Sequence, residues 1–292
     1  MTAQITRQIT EQLSLVLQSE VKIESWRSLS GGSINQVYEL ITDKGSRYCC
    51  KLNLLHGYVD MFEAEAEGLE LIRRLVVIRV PKVVAAFKTE THQVLLLEWI
   101  EAGTRSAGFW ERFGKQLSQL HQAKGESFGL SRSNYMGALP QSNLNSGDWN
   151  HFFYHQRIIP QVERALEKRL LTPDQAALFE RLRVVLPDLF PDAVPRLVHG
   201  DLWSGNFLCD EDEQPVLIDP AVYYGHPAVD LAMTTLFGGF HKSFYESYNH
   251  FSPLPANHRQ QWDCCNLYPL LVHLNLFGKS YLGDILSFLR QY

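Results

Sequence analysis

Apolar positions open the chain at four-residue steps. Ile5, Ile9, Leu13 and Leu17 recur within MTAQITRQITEQLSLVLQ, a period that predicts an amphipathic helix. The texture then changes to short runs rich in β-branched and aromatic residues at 21–29, 35–41 and 47–54, separated by glycine or polar turns, and these read as strands. Residues 62–75, rich in Glu, Ala and Leu, carry helical spacing, and Pro81 stops that pattern. Two more strands are expected at 83–88 and 93–99, with residues 89–92 as a polar turn.

Beyond Glu101-Ala102-Gly103 the periodicity is mostly helical. Helices are expected at 109–122, 149–170, 173–185, 227–237 and 268–289, with Thr172 as N-cap before Pro173. A stretch rich in Gly, Ser, Asn and Pro, 125–147, reads as a long loop, and a short apolar strand is expected at 196–199. The pattern predicts an α+β chain in two lobes. A strand-rich N-terminal lobe, residues 1–100, precedes a larger, mostly helical lobe, residues 101–292, with a connector near 99–103. A cleft between such lobes is a usual place for a ligand.

Composition narrows the classes. At 292 residues and 45% hydrophobic, the chain can bury a sizeable core. A net charge of −5 argues against a nucleic-acid-binding surface, and no apolar run reaches membrane-spanning length. Cys49, Cys50, Cys209, Cys264 and Cys265 form no metal-ligand spacing and no disulfide framework, so a reducing, cytoplasmic setting is expected. The oligomeric state is not readable from the pattern.

The chemistry concentrates in His199-Gly200-Asp201-Leu202-Trp203-Ser204-Gly205-Asn206. Asp201 precedes Asn206 by five positions, and Asp219, in Val216-Leu217-Ile218-Asp219-Pro220, follows Asp201 by eighteen. Two carboxylates and an amide in this order, after apolar strand-like runs, suit phosphoryl transfer. Asp201 would accept or orient the proton of an attacking hydroxyl, while Asn206 and Asp219 would hold Mg²⁺ on the nucleotide phosphates. His199 and Asp230 read as structural braces of the catalytic turn. Trp203 is either a platform for the apolar face of a sugar or a core residue.

Other candidates are less specific. Gly31-Gly32-Ser33, with Asn35 just beyond, lies between two strand-like runs; it is either a hairpin turn or a loop whose N–H groups approach phosphate. Lys51, among residues expected to be buried, needs an anionic partner. Glu63, Glu65, Glu67 and Glu70 on the next helix can each supply one. Glu98-Trp99-Ile100 is a buried strand end or a segment whose backbone bonds an adenine ring.

Together these segments resemble the fructosamine kinase (ketosamine-3-kinase) family, relatives of the aminoglycoside phosphotransferases and choline kinases. The resemblance runs through SGGSINQVY, YCCKLN, FEAEAEGL, LLLEWIE, FGLSRSNYMGALPQ, HGDLWSGN, IDPAVYYGHPAVDLAM and LYPLLVHLNLFG, nearly the whole chain. It implies a protein-kinase-like fold, ATP and Mg²⁺, and phosphorylation of a small-molecule or protein-bound ketosamine at the sugar O3, which labilises the sugar–amine linkage. It also implies Asp201 as proton acceptor, Lys51 and Glu65 as an ion pair, and Glu98-Trp99-Ile100 as the nucleotide hinge. Ser33 stands where some relatives have a redox-sensitive Cys, so redox control is not carried over. HGD in place of HRD removes the Arg that would read an activation-loop phosphate. Two other functions fit the same residues: a kinase of another hydroxylated amine such as an aminoglycoside, and a non-catalytic nucleotide-binding protein. The first would favour an acidic pocket, and the one acidic run, Asp210-Glu211-Asp212-Glu213, reads as an exposed turn.

Overall fold

The computed structural model describes residues 1–29, 35–55 and 57–291. The N-terminal third is built on five antiparallel strands: β1 (Ile23–Leu29), β2 (Gln36–Thr42), β3 (Arg47–Leu54), β4 (Val83–Lys88) and β5 (His92–Glu98), in the spatial order β1-β2-β3-β5-β4. Helix α1 (Ala3–Val16), capped by the Thr2 hydroxyl, lays Ile5, Ile9 and Leu13 on one face of this sheet. Side chains alternate along a strand, so Cys50 and Leu52 of β3 and Val94 and Leu96 of β5 meet α1. Lys51, one position out of phase, faces the other side, where helix α2 (Met61–Arg73) packs.

The remainder is mostly helical. Helix α3 (Ala107–Leu120), capped by Ser106, runs closely against α9 (Lys242–Phe251). Gly114 permits that approach, because a Cβ there would lie 2.2 Å from the Phe244 carbonyl oxygen. A hairpin of β6 (Asn134–Met136) and β7 (Leu139–Gln141) follows. Then come α4 (Trp149–Phe152), a π-helical turn at Phe153–Ile158, α5 (Ile159–Glu167), α6 (Pro173–Ala177) and α7 (Leu182–Leu189). Four short strands pair as two ribbons: β8 (Arg196–Val198) with β11 (Tyr223–Gly225), and β9 (Phe207–Cys209) with β10 (Pro215–Leu217). Helices α8 (Ala228–Leu236), α10 (His258–Phe277) and α11 (Leu282–Leu289) complete the chain. One core joins the α2 side of the sheet to this helical body. No helix is long and apolar enough to cross a membrane among the described residues.

Three sequence expectations need revision. The segment 125–147 is not a plain loop, since it contains the β6–β7 hairpin. The helix expected at 173–185 is α6, a 3₁₀ turn and α7 in succession. The helix expected at 268–289 begins earlier, at His258, and is broken at Gly278, whose φ of 94° lies outside helical space.

Candidate active site

Two loops face each other across the paired ribbons. The first runs from β8 to β9 and carries His199 to Asn206; the second runs from β10 to β11 and carries Ile218 to Val222. Backbone bonds stitch them together: Ala221 N donates to His199 O at 2.9 Å, and Ile218 N donates to Asn206 O at 3.1 Å. Gly200 sits at φ 85°, and a Cβ there would lie 2.2 Å from the Ala221 carbonyl oxygen. Glycine is therefore required for the loops to close.

Buried side chains brace this turn. Asp230, at the start of α8, has no solvent exposure. Its Oδ2 accepts from His199 N at 2.7 Å and from His121 Nε2 at 3.0 Å, and its Oδ1 accepts from Gly200 N at 2.8 Å. Burial pushes the Asp230 carboxyl upward, but His121, His199 and the Gly200 amide outweigh it and hold the group below its ordinary value. His199 donates from Nε2 to the Ile218 carbonyl at 2.9 Å, because a carbonyl can only accept. Its Nδ1 is then the acceptor for Asp201 N–H at 3.3 Å. Burial holds this imidazole neutral by lowering its pKa.

Asp201 is half-buried, and Asn206 Nδ2 donates to its carbonyl oxygen at 2.8 Å and to its Oδ2 at 3.0 Å. Desolvation, with the Asp219 charge nearby, pushes the Asp201 carboxyl up to about 7. Asp219 lies in the left-handed region at φ 55°, a conformation that Asp tolerates better than most residues. Lys51 Nζ reaches Glu65 Oε1 and Asp219 Oδ1, each at 2.5 Å. This ammonium thus joins β3 and α2 to the β10–β11 loop. Its two carboxylate partners outweigh desolvation and raise its pKa, whereas burial raises that of Glu65. Among the four glutamates of α2 open as partners for Lys51, Glu65 is the one in contact.

A cleft of about 190 Å³ opens over these groups. Asn35, Lys51, Glu65, Asp201, Trp203, Asn206 and Asp219 all line it. Trp203 folds over Gly205 and meets Phe237 edge-on at 5.9 Å. Glu98, Trp99 and Ile100 are not among the lining residues. Glu98 instead binds Arg79 at 2.6 Å and Lys82 N at 3.0 Å, and the Arg47 guanidinium lies 4.4 Å from the Trp99 ring centre. Gly31, Gly32 and Ser33 fall outside the described residues.

The cleft also contains residues that the sequence reading did not single out: Tyr135 and Met136 from the β6–β7 hairpin, Met233 from α8, and His273, Leu276 and Phe277 from α10. NYMGALPQ and LYPLLVHLNLFG were visible as segments of resemblance, and His273 is a polar interruption of an apolar run. His121 was missed as well; it holds Asp230 from α3, and nothing near it in sequence marks it.

The donor set suits a hard cation. Asn206 spends its amide nitrogen on Asp201, which leaves Oδ1 for coordination beside the Asp219 carboxylate. Among the described residues no group of three or more His, Cys, Asp or Glu gathers to hold a metal. A cation here would take its remaining oxygens from phosphate and water, which is the habit of Mg²⁺.

The fructosamine kinase family model matches residues 5–292. A probable ketoamine kinase of Synechocystis sp. is 40% identical over 284 residues, covering 97% of this chain and 95% of the relative. A chloroplastic protein-ribulosamine 3-kinase of Arabidopsis thaliana is 35% identical over 273 residues, covering 91% and 81%. The crystal structure of a candidate fructosamine-3-kinase from Haemophilus somnus superposes with a TM-score of 0.88 at 26% identity, covering 98% of this chain and 99% of that one. The fold is the two-lobed, protein-kinase-like phosphotransferase fold. By sequence, structure and the match along almost its entire length, the chain belongs to the fructosamine kinase family.

Proposed function

We propose that this protein is an ATP- and Mg²⁺-dependent ketosamine 3-kinase. The observation that carries the reading is the convergence of Lys51, Glu65, Asp201, Asn206 and Asp219 on one cleft. Relatives named ketoamine kinase and protein-ribulosamine 3-kinase support the substrate class. The strand-rich lobe, residues 1–100, would take the nucleotide, with Gly31, Gly32, Ser33 and Asn35 near its phosphates and Glu98-Trp99-Ile100 near its base. The helical lobe, residues 101–292, would supply the catalytic and substrate groups.

ATP with Mg²⁺ supplies the transferable phosphoryl group and the charge that neutralises it. The residues of the chain do the rest. Lys51, steadied by Glu65, would pair with phosphate oxygens, and Asn206 Oδ1 and Asp219 would hold the metal. Asp201 accepts a hydrogen bond from the sugar 3-hydroxyl and takes its proton. If the transition state is loose, Asp201 contributes mainly through position. The Asn206 amide, donating to one carboxylate oxygen, keeps it oriented and leaves the other oxygen for the hydroxyl. The 3-phosphate then labilises the sugar–amine bond, so the product is deglycated. The five free cysteines fit a reducing, cytoplasmic setting.

Substrate profiling tests the reading. Ribulosyl-lysine and fructosyl-lysine should support ADP release, and an aminoglycoside panel should not. Turnover confined to aminoglycosides would refute the substrate class while leaving the fold and the metal site in place.

A further inference from the structure

One end of the cleft is aromatic and, among the described residues, carries no carboxylate. Trp203 meets Phe237 at 5.9 Å, and Phe237 lies 4.9 Å from the His273 ring. Phe277 and Tyr281 flank the same imidazole at 5.4 Å and 5.1 Å. Phe237 and Phe277 are 40% and 55% exposed, so both rings are open to an approaching group. The three carboxylates lining the described cleft lie elsewhere in it: Glu65 and Asp219 meet Lys51, and Asp201 meets Asn206.

His273 has a fixed tautomer. Its Nδ1 lies 2.7 Å from the Pro269 carbonyl oxygen, which can only accept, so Nδ1 carries the hydrogen. Nε2 is therefore a lone-pair acceptor, with no hydrogen-bond partner among the described residues, on a ring that lines the cleft. Desolvation favours the neutral ring. A neutral acceptor beside aromatic rings suits a singly charged N–H donor, because an aromatic ring stabilises a cation and the imidazole accepts its N–H.

We propose that this end of the cleft recognises the protonated secondary amine of the ketosamine, with His273 Nε2 accepting its N–H and the lining rings of Trp203 and Phe277 covering its charge. This rests on the ketosamine reading above and deepens it. The sugar lies toward Asp201, and the amine and what it is attached to lie toward the exposed rings. A multiply cationic aminoglycoside finds no carboxylate at this end of the described cleft. A plain ketose finds the hydroxyl acceptor but leaves His273 without its donor. The amine site thus separates glycated amines from free sugars without any contact at the reacting oxygen.

The test compares fructosyl-lysine with fructose, which keeps the 3-hydroxyl and replaces the amine by a hydroxyl. His273→Phe keeps the aromatic volume and removes the acceptor; His273→Gln restores an acceptor oxygen. A hydrogen bond to a charged group leads us to expect His273→Phe to lower kcat/KM for fructosyl-lysine by about ten- to a hundredfold, chiefly through KM. Fructose should be affected far less, and His273→Gln should recover part of the loss. Thermal unfolding and the KM for ATP report whether the variants are intact. Equal losses on both substrates, or no loss on either, with an active wild type, would overturn the amine site alone. A wild type inert toward fructosyl-lysine would overturn the kinase reading and the amine site together.

Discussion

Replacing Asp230 by Asn removes one charge and almost no volume, so its effect isolates the brace under the catalytic turn. The carboxylate accepts three hydrogens, from His199 N, Gly200 N and His121 Nε2, at 2.7 to 3.0 Å with no solvent contact. An amide has one acceptor oxygen. Placed at the Oδ2 position, it keeps His199 and His121 but turns its NH₂ against Gly200 N–H; flipped, it opposes two donors instead of one. The better orientation still strands a buried N–H and weakens two charge-assisted bonds, a loss of about 2–4 kcal/mol. For a chain of this size that corresponds to a fall in Tm of roughly 5–12 °C. The Asp230 carboxyl is held below its ordinary value of 3.8, so its stabilisation is fully present above that pH and is lost as pH falls through the folded value. The penalty should therefore be constant from about pH 5 to 8 and shrink only in stronger acid. Because Gly200 precedes Asp201, kcat should also fall, by about tenfold for each 1.4 kcal/mol of lost positioning. Urea denaturation across pH, beside ATP-dependent turnover, measures both. An Asn variant within about 0.5 kcal/mol of wild type, with normal kcat, would refute the brace.

Two further outcomes follow from buried cations and imidazoles. His226, between Trp149 and Phe190, is pushed down to about 3 by desolvation, with His121 adding. Its stabilisation is present above the unfolded value of 6.5 and is lost as pH falls toward the folded one. His226→Asn, which keeps an acceptor for Ala228 N–H, should gain on wild type by at most about 1.4 kcal/mol per pH unit below 6.5, read from denaturation midpoints; parallel pH curves would contradict this. Arg157 is fully buried with no carboxylate in ion-pair range among the described residues. Its guanidinium donates to Ser142 O and to Asn143 Oδ1 and lies 4.0 Å from the Tyr223 ring centre. Arg157→Met should cost about 2–4 kcal/mol by stranding those acceptors, and a neutral result in chemical denaturation would show that the network is dispensable.

Much of this was legible because local chemistry repeats itself in local structure. Ile5, Ile9 and Leu13 at helical spacing do pack as one face, and the five N-terminal strands lie close to where alternation put them. The Asp201–Asn206–Asp219 spacing was readable because the β9–β10 ribbon closes over a short span. Partners distant in sequence were not readable. His121 reaches Asp230 across 109 positions, and the β6–β7 hairpin is held by buried amides, such as Asn134 donating to Val222 O, that look like loop polarity in the sequence. Gly278 broke a helix that the apolar run continued through, because a hydrophobic pattern does not report φ. Nor does the sequence around His273 report that its Nδ1 is taken by the Pro269 carbonyl.

Mg²⁺-ATP turnover, followed as ADP release with ribulosyl-lysine and fructosyl-lysine in wild type and Asp201→Asn, decides whether this chain is a ketosamine kinase. ADP release should require the ketosamine, be abolished by chelating Mg²⁺, and fall by orders of magnitude in the Asn variant while nucleotide binding survives. Release that ignores the ketosamine, or near-normal turnover in Asp201→Asn, would contradict that reading.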